Sequence, residues 1–158
     1  MTRDLSAWIE QHAVSSPDRV AIRFEGTEIS YRALHVRIQK TAGFLHNTHG
    51  IGRGDRVAYL GFNTPECVIL LFACARLGAV YLPLNWRLAL PELDHVLGHA
   101  EPKVLITDSP HRESAVGLVN GRSECTLIDC ANVVPASEDS DTTLAESNFG
   151  GDPDVPLL

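Results

Sequence analysis

The sequence predicts an α/β fold: a mainly parallel sheet with flanking helices, and a small antiparallel ribbon near the N-terminus. Three observations support this. Strand-like and helix-like segments alternate from Val57 to Cys130, the order that parallel sheets with crossover helices produce. Residues 79–84 are apolar with no alternating polar face, as a parallel strand covered on both sides requires. Residues 67–75 are apolar all round at helical spacing, which predicts burial on every face.

Taken in order, residues 4–14 read as an amphipathic helix with Leu5, Trp8, Ile9 and His12 on one face, capped by Asp4 or Ser6 and ended by Ser15-Ser16-Pro17. Trp8 is expected to anchor it in the core. Residues 20–24 and 28–31 read as two strands joined by a turn at Glu25-Gly26-Thr27, a peripheral ribbon. Ser30 then caps a long helix to about His46, with Leu34, Ile38, Ala42 and Leu45 at helical spacing. His46 and His49 alone do not make a metal site; they suit the negative end of the helix dipole. Gly50, Gly52 and Gly54 form a G-x-G-x-G run, but a helix precedes it and the strand 57–60 follows. A dinucleotide fingerprint has the opposite order, so this is a helix-to-strand turn in which glycines supply positive φ.

Asn63 and Glu66 stand at the spacing of a capping box, with Pro65 tolerated in the first turn. Gly78 ends that helix, and Asn85, Trp86 and Arg87 leave the C-terminal end of the strand 79–84. Residues 91–99 read as a helix, 103–107 as a buried strand, 111–119 as a weak helix capped by Ser109 or Asp108, and 126–130 as the next strand. From Ala131 onward apolar periodicity disappears. Residues 155–158 have the look of a strand beginning.

The net charge of −7 divides unevenly. Six acidic residues and no Lys or Arg lie in 131–158, leaving 13 basic against 14 acidic residues in 1–130. The chain is thus read as an incomplete α/β subdomain over 1–130 and an acidic Pro/Ser/Asp/Gly-rich linker over 131–158. No basic stripe with stacking aromatics is present, which disfavours nucleic acid as a partner. The longest apolar run, 67–75, falls short of the roughly 20 residues that span a bilayer. Residues 1–11 are too polar for a secretory signal. Cys67, Cys74, Cys125 and Cys130 make no C-x-x-C pair and read as buried free thiols of a cytoplasmic protein, with peripheral membrane contact left open. Cys67 and Cys74 share a helical face among apolar neighbours, which argues against a reactive or metal-binding role.

With these residues placed, the sequence resembles the N-terminal portion of the adenylate-forming superfamily, specifically the acyl-CoA synthetases (fatty-acid–CoA ligases). Ser30-Tyr31-Arg32-Ala33-Leu34 is similar to the family's T/S-Y-x-x-L segment. Residues 52–57 are similar to G-x-G-D-R-V, and Asn63 with Glu66 to N-x-x-E. Residues 78–85 are similar to G-A-x-x-x-P-x-N, and Arg87-Leu88 with Glu92-Leu93 to the R-L and E-L that follow. Each motif alone is weak; the ordered set over about 5–130 is specific. Peptide-synthetase adenylation domains usually carry Asp where Asn85 stands, so Asn85 and Arg87-Leu88 favour the CoA ligases.

The resemblance implies an N-terminal subdomain of the adenylate-forming fold. It implies a parent enzyme that uses ATP, Mg²⁺ and CoA to convert a carboxylic acid, a fatty acid by the family's name, to an acyl-CoA through an acyl-adenylate. The family's phosphate loop follows a segment like 152–158, and its adenine-binding residues, Mg²⁺-binding glutamate and catalytic lysine come later still. No catalytic residue or metal ligand is therefore expected in this chain. The 158 residues alone are expected to be inactive and to bind none of these cofactors tightly.

Asn85, Trp86 and Arg87 are the candidate substrate- or CoA-binding residues, because open α/β sheets bind ligands at the C-terminal ends of their strands. Arg87 then meets a CoA phosphate or a carboxylate. In the alternative, Asn85 closes a turn, Trp86 packs and Arg87 pairs locally. A sheet cut before its remaining strands also leaves an open edge, which predicts self-association. The other functional reading is a free-standing, non-catalytic interaction module derived from such an enzyme.

Overall fold

The computed structural model describes residues 5–137; the expectations at Asp4 and over 138–158, the strand at 155–158 included, lie outside the described residues. Helix α1 (Leu5–Ser15) leads into a two-stranded antiparallel ribbon, β1 (Val20–Phe24) and β2 (Thr27–Ser30). Glu25 and Gly26 between them both have positive φ, 48° and 80°. That backbone twist matches the twist of paired strands. The Ser30 hydroxyl accepts from the Ala33 N–H at 3.2 Å and caps α2 (Tyr31–His49) as expected, and Gly50 ends that helix in the left-handed region at φ 60°.

The main sheet consists of β3 (Arg56–Leu60), β4 (Val80–Leu84), β5 (Val104–Thr107) and β6 (Thr126–Asp129), all parallel, in the order β4-β3-β5-β6. Helix α3 (Pro65–Leu77) connects β3 to β4, α4 (Leu90–Ala100) connects β4 to β5, and a 3-10 turn (Ser109–His111) with α5 (Arg112–Val119) connects β5 to β6. A short helix α6 (Cys130–Val133) follows.

Strand pleat divides the core in two. Val57, Tyr59, Val104, Ile106 and Ile128 face α1, α2 and α3, joining Leu34, Ile38, Leu45, Ile69, Leu70 and Ala73. Ala58, Leu60 and Leu105 face the other way, against Leu93 and Leu97 of α4 and Ala115 and Leu118 of α5. The sheet is covered on both faces, and no helix among the described residues is long and apolar enough to cross a membrane.

Four expectations are corrected. Residues 79–84 are not a strand covered on both sides: among the described residues β4 is an edge strand, with Val80 50% exposed and Pro83 exposed. Proline has no N–H to give a ladder and is at home on an edge. Helix α3 is buried on most of its surface, but Leu71 is 39% exposed. Trp8 is 51% exposed rather than a core anchor; the neighbouring Ile9 is buried instead, and His12 stacks on Tyr31 at 4.8 Å to dock α1 on α2.

The fourth concerns the start of α3. Its N-cap is Thr64, without a side-chain hydrogen bond, and the Glu66 carboxylate bonds Arg37 at 3.1 Å rather than a backbone N–H. Arg37 is 5% exposed, and its Nε also donates to the Pro135 carbonyl at 2.8 Å. The guanidinium thus joins α2, the start of α3 and the segment after α6, where Val133, Val134 and Pro135 are buried. The packed body extends to these residues, past 130.

All four cysteines are free thiols. Burial pushes Cys74 up to about 12. Cys130 is also pushed up to about 12, by burial first and then by the charges of Glu66, Cys67 and Asp108.

Removing Arg37 leaves Glu66 without its partner and the Pro135 carbonyl unbonded. Arg37→Ala is expected to lower the unfolding free energy by about 3 kcal/mol, the low end for a broken buried pair, because Glu66 can rehydrate. Glu66→Gln keeps an acceptor and is expected to cost about 1 kcal/mol. Urea titration measures both, and equal losses would sink this account. A second prediction concerns the thiols. Kept protonated by burial, Cys74 and Cys130 should be alkylated by iodoacetamide at pH 8 far more slowly in the folded chain than in urea. Labelling of either at the unfolded rate would contradict their burial.

Candidate functional site

The two ends of the parallel sheet differ. At the N-terminal end the turn 50–55 is tied down by charge. Asp55 accepts from the Gly52 N–H at 2.9 Å and pairs with Lys103 at 3.3 Å, while Lys103 Nζ donates to the Gly50 carbonyl at 2.8 Å. Gly54 takes φ 81° there, so the glycine-rich run serves the helix-to-strand turn expected of it.

The C-terminal end carries the candidate site. The sheet order places β3 between β4 and β5, so chain leaves β3 toward β4 and returns across it to β5. This reversal is where open α/β sheets form their ligand crevice. Three segments converge there: Gly61-Phe62 after β3, Asn85-Trp86-Arg87 after β4, and Asp108 with His111 after β5.

Asn85 Oδ1 accepts from the Arg87 N–H at 3.1 Å and the Asn85 carbonyl accepts from Leu88 N–H at 3.0 Å, closing a turn at the strand exit. Trp86 is half-buried and meets Phe62 edge-on, with ring centres 5.1 Å apart and planes at 80°. It also meets His111 at 5.5 Å, and Phe62 meets His111 at 4.7 Å. The Arg87 guanidinium lies 4.3 Å from the centre of the Trp86 ring, a cation–π contact. Among the described residues no carboxylate takes up its charge.

Asp108 pins this end. Its Oδ2 accepts from the Phe62 N–H at 2.9 Å, and its Oδ1 accepts from the His111 N–H at 3.1 Å and lies 2.5 Å from His111 Nδ1. Thr107 Oγ1 donates to the Leu60 carbonyl at 2.9 Å, so β3 and β5 stay joined to their last residues. Tyr59 Oη donates to the Phe62 carbonyl at 3.1 Å. Burial first, then the Cys67 thiol, pushes that hydroxyl above the usual phenol range, so it remains a donor. Gly61 has to be glycine: a Cβ would lie 2.8 Å from Asp108 Oδ2 and closer still to Tyr59 Oη.

Asn85, Trp86 and Arg87 thus stand where the sequence puts them, at a strand exit, and the structure gives them company that sequence spacing does not show. Phe62, Asp108 and His111 were missed. The signal was present: Phe62 and Asp108 each follow a buried strand almost directly, the same rule that singled out Asn85 to Arg87. Among the described residues no group of three His, Cys, Asp or Glu side chains could hold a metal ion.

The sequence profile of the AMP-binding enzyme family matches residues 9–156. The chain is 45% identical over 105 residues to the indoleacetate–CoA ligase of Aromatoleum aromaticum, an alignment covering 66% of this chain and 20% of that protein. It is 43% identical over 118 residues to a feruloyl-CoA synthase of Amycolatopsis, covering 75% of this chain and 24% of that protein. The ATP-bound MatB structure from Rhodopseudomonas palustris superposes with a TM-score of 0.72 at 32% identity, over 82% of this chain and 25% of that one. The chain therefore spans about a fifth to a quarter of the length of the curated relatives it matches. Its parallel sheet and antiparallel ribbon are those of the N-terminal subdomain of adenylate-forming enzymes, and the chain belongs to the AMP-binding enzyme family.

Proposed function

We propose that these residues form the N-terminal scaffold of an ATP-dependent acid–thiol ligase. In that reaction the substrate carboxylate displaces pyrophosphate from ATP to give an acyl-adenylate, and the CoA thiol then displaces AMP to give the thioester. The observation that carries the reading is the family match over 9–156 together with CoA ligases among the relatives. ATP bound in a structural neighbour supports ATP as the activating substrate. Mg²⁺ accompanies it in this reading by shielding phosphate charge, and none of the described residues is assigned to hold it.

Within the scaffold, Arg87 is the residue we assign to a CoA phosphate or to the carboxylate, with Asn85 and Trp86 holding it. A stacked guanidinium with no carboxylate partner among the described residues keeps its donors available for an anion. For the acid itself, the family motifs suggest a fatty acid. The relatives named for indoleacetate and ferulate favour an acid carrying an aromatic ring. Four free thiols are in keeping with a reducing, cytoplasmic compartment.

The test is acid-dependent pyrophosphate release. The complete gene product is expected to release pyrophosphate with ferulate or indoleacetate and CoA, and the isolated 158 residues to release none. Release by the isolated chain would overturn its assignment as a scaffold, and failure of every carboxylic acid with the complete product would overturn the ligase. The open β4 edge, with Val80 50% exposed, also supports self-association of the isolated chain. Size-exclusion elution is expected to shift to larger species as concentration rises; a concentration-independent monomer would refute it.

A further inference from the structure

We infer that Asp108 and His111 are positioning residues that hold the Trp86 indole, and through it the Arg87 guanidinium, at the ligand-facing end of the sheet. The inference deepens the reading of Arg87 as an anion contact and rests on it for one arm of its test.

The observations come from three separate strand exits. Trp86 sits on a short turn that fixes its backbone but leaves two side-chain torsions to be set by neighbours. Those neighbours are the Phe62 and His111 rings, at 5.1 and 5.5 Å. Both are anchored by a single carboxylate: Asp108 Oδ2 holds the Phe62 backbone at 2.9 Å, and Oδ1 holds the His111 ring at 2.5 Å. Asp108 and His111 have side-chain exposures of only 19% and 13%, whereas Arg87 at the far end of the series is exposed. The order is therefore Asp108 to His111 and Phe62, these rings to Trp86, and Trp86 to Arg87.

Capping alone does not account for this arrangement. To start the turn before α5, Asp108 needs only the His111 backbone N–H, which Oδ1 takes at 3.1 Å. The imidazole contributes nothing to that cap and lies instead between Phe62 and Trp86. A side chain that is locked by packing and by a second hydrogen bond is what holds a binding group in fixed geometry.

His111→Ala separates the two roles, because it keeps the backbone N–H for the cap and removes only the ring. The chain has two tryptophans, so Trp8→Phe leaves Trp86 as the reporter. In that background, time-resolved anisotropy is expected to show Trp86 turning with the whole molecule. His111→Ala should add a sub-nanosecond local rotation of several-fold larger amplitude, with the urea midpoint and far-ultraviolet spectrum unchanged. Asp108→Asn, which weakens the hold on both rings, should do the same. Unchanged Trp86 rotation in both variants would overturn the inference.

The second arm titrates CoA itself, read by Trp86 emission. Arg87→Ala is expected to abolish the response and His111→Ala to weaken apparent affinity roughly 2- to 5-fold, the scale of one oriented cation–π contact. Loss of binding in Arg87→Ala with none in His111→Ala would also overturn the positioning role. CoA binding to this chain is expected to be weak; if Trp86 loosens as expected but that binding is indifferent to Arg87, the anion reading of Arg87 fails while the positioning of the indole stands.

Discussion

Strand β3 is hydrogen-bonded on both sides and covered on both faces, and Val57, Ala58, Tyr59 and Leu60 are each at most 2% exposed. The other layers take their places from it. Val57 and Tyr59 form the floor for α2 and α3, while Ala58 and Leu60 form the floor for α4 and α5. A slip of one residue would exchange these faces, setting Ala58 where Tyr59 reaches the Phe62 carbonyl. The register with β4 and β5 is therefore tied to the packing of four helices, and the strand exits that form the candidate site inherit that register.

Most of the fold was legible because it depends on local signals. Ser30 ahead of an apolar-periodic run, Gly50 after it, and positive φ at the 25–26 turn are set by backbone chemistry that a few residues determine. The misreadings have a different origin. Residues 79–84 look like a central strand because their apolarity is continuous, yet edge or centre is decided by which strands pair, and sequence hydrophobicity does not carry that. Asn63 and Glu66 have capping-box spacing, but Arg37, 29 residues away from Glu66, offers the carboxylate a buried cation. A charge-assisted bond in a sheltered place outweighs a cap bond to a solvated N–H. Trp8 and Ile9 are adjacent on the same helix, so a small rotation decides which is buried.

Half of the candidate site was legible. Asn85, Trp86 and Arg87 could be found because they follow a strand within one contiguous motif. Phe62, Asp108 and His111 are up to 49 residues apart in sequence and become neighbours only because β3 pairs with β5 while the chain detours through β4. Parallel pairing always imposes such separations, since a crossover must intervene. Contacts at the end of a parallel sheet are therefore the part of an α/β fold that local pattern reading recovers least well.

The contrast between the two ends of the sheet bears on what the family motifs mean physically. Residues 52–57, part of the ordered set by which the family is recognised, lie at the N-terminal end, where Asp55, Lys103 and Arg56 all find partners within the chain: Asp55 pairs with Lys103, and Arg56 donates to the Ala100 carbonyl at 2.9 Å. Their charges are spent on closing turns, so this motif marks a scaffold. At the other end Asp108 is spent in the same way, on backbone and ring, but among the described residues Arg87 meets the face of an indole and no carboxylate. A charge that the fold leaves without a counter-charge is where an anionic ligand gains most, because binding there breaks no existing ion pair. Among the described residues of the two motif-bearing ends, it is the Arg87 end that suits the anion contact proposed for it.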